Sequence, residues 1–142
     1  MHGPIGNWDV SLVTDMDKMF YPKTAFNHEL SDWDVSRVTD MGRMFGSARL
    51  FNQELSKWDV SRVTNMFAMF RHAKTFNQDL SDRDVFRVTN MGGTFHYAHA
   101  FNQDLFDWDV SRVTNMAATF RGAKSLIRIC PSGMCPVSLI CG

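Results

Sequence analysis

The sequence predicts an α/β solenoid of five 25-residue coils, each with a short parallel strand and a short helix, and three observations carry that expectation. The chain overlays on itself at an offset of 25 without insertion: NWDVSLVTDM, DWDVSRVTDM, KWDVSRVTNM, DRDVFRVTNM and DWDVSRVTNM begin at Asn7, Asp32, Lys57, Asp82 and Asp107. A constant period of roughly 20 to 50 residues marks units too small to hold a core alone, which become stable by stacking. Each copy also shows two hydrophobic rhythms, one of period two and one close to the helical period. Finally, 12 Phe, 10 Met and 4 Trp among 142 residues supply the large apolar side chains that a shared core needs.

The elements follow in order along one copy. In the second, Leu30, Trp33 and Val35 give LxxWxV, with Trp33 and Val35 on one face of a strand. Val38, Met41, Met44, Phe45 and Ala48 follow at spacings of three, three, one and three, read here as the buried stripe of a helix of about two turns. Thr39 sits where a helix N-cap is expected, and Thr14, Thr64, Thr89 and Thr114 repeat the position. Strands of successive coils would pair in parallel, with helices stacked behind them. Phe20, Phe45, Phe70, Phe95 and Phe120 then form one internal column, and Phe26, Phe51, Phe76 and Phe101 a second. Met16 with Met19, Met41 with Met44 and Met66 with Met69 fill the gaps as packing. Asn27, Asn52, Asn77 and Asn102 precede the strand, where their side chains are expected to pass hydrogen bonds from coil to coil.

The copies fill residues 1–126, and residues 127–142 read as a degenerate tail or cap. Cys130, Cys135 and Cys141 all fall in that tail, at spacings that match no zinc or CxxC redox pattern, so no role is assigned to them. The 15 basic and 15 acidic residues balance, which argues against a nucleic-acid binder held by phosphate contacts. No stretch approaches the roughly 18 apolar residues of a membrane span, so membrane insertion is not expected, and the start, MHGPIGNWDV, lacks the order of a signal peptide.

The units FNQELSKWDVSRVTNMFAMF and FNQDLFDWDVSRVTNMAATF closely resemble the 25-residue repeat of the BspA-type leucine-rich repeat surface proteins, a family also abundant among mycoplasma lipoproteins. The resemblance spans residues 5 to 126. It implies a right-handed, leucine-rich-repeat-like solenoid and, for characterised members, cell-surface display with adhesion or other protein contacts. The family's secretion signal, lipobox and wall anchor have no counterpart in these residues.

Residues shared by every copy are most economically explained by the fold, so chemistry should reside in singletons. His2, His28, His72, His96 and His99 form no plausible metal set, no nucleophile sits beside a base, and there is no Gly-rich phosphate loop. An enzyme is not expected. The informative series is acidic. If Trp33 and Val35 point inward, Asp32 and Asp34 point outward, and Asn7 with Asp9, Lys57 with Asp59, Asp82 with Asp84 and Asp107 with Asp109 follow. Such a column must be offset. The Asp oxygens can accept from amides of the following turn, with Arg37, Arg62, Arg87 and Arg112 as a parallel cationic column. Alternatively the column collects Ca²⁺, though the spaced loop of a dedicated site is missing. The third reading is a docking face for a basic protein partner, built from Asp32, Asp34, Asp59, Asp82, Asp84, Asp107 and Asp109.

The fourth copy departs most from the pattern. Arg83 replaces Trp, Phe86 replaces Ser, and Gly92 with Gly93 fall inside the expected helix, where glycine costs up to about 1 kcal/mol. Phe106 replaces a Ser in the fifth copy. Phe86 and Phe106 join the candidate contact residues, because exposed aromatics beside Arg are common at interfaces. Open coil ends also leave room for self-association.

Overall fold

The structure, a computed structural model, describes residues 3–123. These take in the five copies up to Ala123, and the tail with its three cysteines lies outside them.

The expected α/β solenoid of strands and helices does not form. Among the described residues the only helix is one 3₁₀ turn, Ile5–Asn7, and no strand is present. Neighbouring coils meet instead at isolated parallel bridges that link Asp15, Asp40, Asn65, Asn90 and Asn115 in series. The chain is a stack of coils, each a succession of tight turns.

The third coil, residues 51–75, shows why no helix forms. The amides of Met69, Arg71 and Ala73 donate to carbonyls three residues back, at Met66, Ala68 and Phe70. The intervening amides of Met66, Ala68, Phe70 and His72 leave the coil and donate to Asn90, Gly92, Thr94 and His96 of the next one, at 2.8–2.9 Å. An α-helix needs all of these donors for its own carbonyls four residues back. From the second coil on, the alternation is enforced by two left-handed residues per coil, four apart: Ala68 at φ +54° and His72 at φ +59°, with Arg43 and Ser47 before them and Gly93 and Tyr97 after. The stripe Val63, Met66, Met69, Phe70 and Ala73 is buried as the spacing implies, because steps of three and four suit a run of turns as well as a helix.

The threonines are corrected by the same finding. Thr39, Thr64, Thr89 and Thr114 cap no helix; each donates its hydroxyl to the carbonyl of the equivalent Thr in the preceding coil, at 3.1–3.2 Å. The LxxWxV segments are not strands either. Turns from Leu55 to Trp58 and from Val60 to Val63 close them on both sides. The alternation nevertheless holds locally, with Trp58 and Val60 buried and Lys57 and Asp59 exposed. What ties these segments together is the indole: Trp33, Trp58 and Trp108 donate Nε1–H to the carbonyls of Ile5, Leu30 and Leu80, at 2.9–3.0 Å.

The core is aromatic. Phe20, Phe45, Phe70, Phe95 and Phe120 stack with ring centroids 5.6 Å apart at every step. Phe26, Phe51, Phe76 and Phe101 stack at 5.9–6.0 Å. Within a coil the two columns touch, at 3.9–4.0 Å between centroids. The Asn series forms a second ladder, as read from the sequence. Asn27, Asn52 and Asn77 each accept on Oδ1 the amide of the next Asn, at 2.9 Å.

The fourth coil breaks the indole series. The Arg83 guanidinium donates to the carbonyls of Ser56 and Trp58, its Nε is buried without a partner, and a void of about 20 Å³ remains among Leu55, Phe70, Phe95 and Trp108. Gly93, expected to cost stability inside a helix, instead occupies a left-handed position at φ +63°, the conformation glycine adopts without strain.

Two stability measurements follow. Gly93→Ala has room for its methyl, whose nearest neighbour is His96 Cβ at 3.7 Å. It therefore isolates the left-handed backbone cost, and urea unfolding should show a loss of about 1 kcal/mol. Arg83→Trp should raise the thermal midpoint, because the indole fills the void and gains the Leu55 carbonyl, a gain of about 1–2 kcal/mol. A lower midpoint for Arg83→Trp would show that the guanidinium contacts outweigh both terms.

Candidate functional site: two charged faces

The predicted acidic residues are placed as read. Asp32, Asp34, Asp59, Asp82, Asp84, Asp107 and Asp109 are all exposed and recur in register from coil to coil. One of the two columns is held by short-range hydrogen bonds. Asp34, Asp59 and Asp109 each accept the amide of the Ser two residues on, at 3.0 Å, and Asp84 accepts that of Phe86. These bonds to serine, from side chain and backbone, hold the carboxyls of Asp9, Asp34, Asp59 and Asp109 below the ordinary value of 3.8. The neighbouring carboxylate acts the other way: Asp9 raises Asp34, and Asp34 raises Asp59.

Little neutralises the strip. Among the described residues its one ion pair is Lys57 with Asp32, at 2.7 Å between two exposed side chains. No ion pair joins Arg37, Arg62, Arg87 or Arg112 to the Asp columns among those residues, and Arg112 instead lies 5.3 Å over the ring of Phe86. Phe86 and Phe106 are exposed. Each keeps the backbone bond of the Ser it replaces, through the Asp84 and Asp104 carboxylates, so the substitutions alter the surface and leave the turn intact. No group of three or more His, Cys, Asp or Glu able to hold a metal ion occurs among the described residues.

A second charged face was missed in the sequence. Arg49, Lys74 and His99 occupy one register position in successive coils, and Arg71, His96 and Arg121 occupy another. Residues 46–50, 71–75 and 96–100 contain no carboxylate. Between the two columns the rings of His72 and Tyr97 stack at 5.2 Å, and His96 and Tyr97 at 4.5 Å. Burial first, and then the surrounding cations, push His72 and His96 below the usual imidazole value. Arg71, Lys74, Arg49 and His99 act on His72, and Arg71, His72 and Arg121 act on His96. Setting the five copies in register by residue type shows these columns. Reading the histidines one at a time as possible ligands hid them.

A concavity of about 1250 Å³ lies at the first-coil end of the stack, lined by Ile5, Trp8, Met19, Phe20, Phe26 and Trp33 among others.

Acidification should act in two stages, read as the thermal midpoint from pH 8 to 2. Histidines with depressed native pKa values contribute stability that is complete above about pH 6.5 and is lost as pH falls through their native values. The Asp contribution is complete above the ordinary 3.8 and is lost below it. His72→Gln/His96→Gln should flatten the first stage, and Asp34→Asn/Asp59→Asn/Asp109→Asn the second.

A family model described as a mycoplasma protein of unknown function, DUF285, matches residues 1–91 and 56–129. No curated protein and no solved structure matches the chain.

Proposed function

The chain belongs to the mycoplasma DUF285 repeat family, and we propose that it is a non-enzymatic recognition module whose exposed acidic strip docks a basic protein partner. One observation carries the reading. Seven aspartates stand in solvent at a constant register, with Lys57 as their one ion-pair partner among the described residues and Arg37 and Arg83 acting on Asp34 and Asp59 without an ion pair. Like charges repeated along a column repel, and the hydrogen bonds from the following serines hold the carboxyls of Asp34, Asp59 and Asp109 below their ordinary value. A partner carrying cations at similar intervals relieves that repulsion on binding and is steered to the strip from a distance. Arg112 and Phe86 supply a flatter, partly apolar patch beside it. The finer likeness, to BspA-type surface proteins that adhere to other macromolecules, supports the same reading and with it display at the cell surface.

The test is binding of a lysine-rich peptide, followed by calorimetry at low salt and at about 0.5 M salt, where charges on the surface are screened within a few ångströms. Asp34→Asn/Asp59→Asn/Asp84→Asn removes charge and retains the turn-capping oxygen. Asn65 already does the same work in this fold, accepting the Phe67 amide at 3.0 Å where Asp40 accepts that of Gly42. The triple variant should bind at least about tenfold more weakly at low salt. Equal affinity of variant and parent, or affinity indifferent to salt, would remove the acidic strip from consideration.

A further inference from the structure

The strip of carboxylates has a counterpart on the same molecule. Arg49, Lys74 and His99 in one column, and Arg71, His96 and Arg121 in the other, recur once per coil, as the aspartates do. Asp59 and His72 are 13 residues apart on a coil of 25, so the two faces lie about half a coil contour from one another. They do not neutralise each other within one copy. The charged groups acting on Asp34 and Asp59 are Asp9, Asp34, Arg37 and Arg83, and those acting on His72 and His96 are all basic.

We propose that the basic edge of Arg49, Arg71, Lys74 and Arg121 is a docking surface for the acidic strip of a second copy of this chain. The inference rests on the reading of that strip as a docking face, and names its partner. Sign complementarity is one part of the argument, and period is the other. Both faces are carried on the same 25-residue coils, so cations on one copy and carboxylates on the next advance by an identical step and stay in register along the contact. A polyanion with a different repeat falls out of step after a few charges. The rings on the edge also stack on each other, His72 on Tyr97 and His96 on Tyr97. The 15 positive and 15 negative residues give no net charge, so copies approach without overall repulsion.

The contact is heterologous, because each copy offers two different surfaces, and a heterologous contact that does not close grows into an open assembly. This makes a mixing experiment decisive. The full chain is followed by sedimentation velocity at low ionic strength and at about 0.5 M salt. The parent should grow beyond monomer with concentration at low salt and return to monomer at high salt. Asp34→Asn/Asp59→Asn/Asp84→Asn removes three of the seven strip carboxylates and leaves the basic edge whole, and Arg49→Gln/Arg71→Gln/Lys74→Gln, at three exposed positions, removes three cations of the edge and leaves the strip whole. Each alone should remain monomeric, with a melting curve that verifies folding, while an equimolar mixture should give a dimer that grows no further. A parent that stays monomeric at low salt, a single variant that assembles as the parent does, or a mixture that does not pair would each overturn the proposal. So would loss of heparin or oligonucleotide binding in the Gln variant from a parent that never self-associates, which would assign the edge to a polyanion. If lysine-rich peptide binding remains salt-sensitive in any of those cases, the acidic strip stands as a docking face and only the second copy is withdrawn.

Discussion

Every second amide from Met66 to His72 leaves its own coil to reach a carbonyl 24 residues ahead, and the rest of the structure depends on that exchange. It commits the second to fifth coils to two left-handed residues each, which cost L residues roughly 1–2 kcal/mol apiece. The arrangement holds because coil-to-coil bonds and burial of two stacked phenyl columns offset that cost together. Neither is available to a single coil. The same exchange leaves the remaining amides to close short turns, so backbone groups are satisfied without a helix or a sheet.

Side chains repeat the logic of the backbone. The indole of one coil caps a carbonyl of the one before. Asn27, Asn52 and Asn77 bind the amides of their successors, and Asn65 donates to both oxygens of Asp40. Most of what recurs at a 25-residue interval is therefore a rung between neighbours. Arg83 marks where a rung changed chemistry, with a small void and an unpartnered nitrogen as the local record.

Charge follows a different rule. Residues at exposed register positions are free of the ladder, yet they inherit its period, so any exposed residue type that recurs becomes a column. The aspartates and the basic residues of the other edge form such columns, and about half a coil contour separates them.

The period, most of the buried set and the exposure of Asp32, Asp34, Asp59, Asp82, Asp84, Asp107 and Asp109 were determined by the sequence itself, because a 25-residue recurrence places equivalent residues in equivalent environments; the first coil departs, and Met19, expected as packing, is exposed there. The Asn ladder and both phenyl columns were legible for the same reason. The secondary structure was not. Val38, Met41, Met44, Phe45 and Ala48 carry a helical spacing, and only the tertiary structure sends alternate amides to the next coil, since the choice turns on φ at Arg43 and Ser47, residues with no intrinsic preference for the left-handed region. The role of Thr39 changed with it, from a helix cap to a rung. The basic edge, too, exists only once Arg49, Lys74 and His99, three different residue types, are stacked at one position. It is the neighbouring coil that turns a scattered composition into a surface.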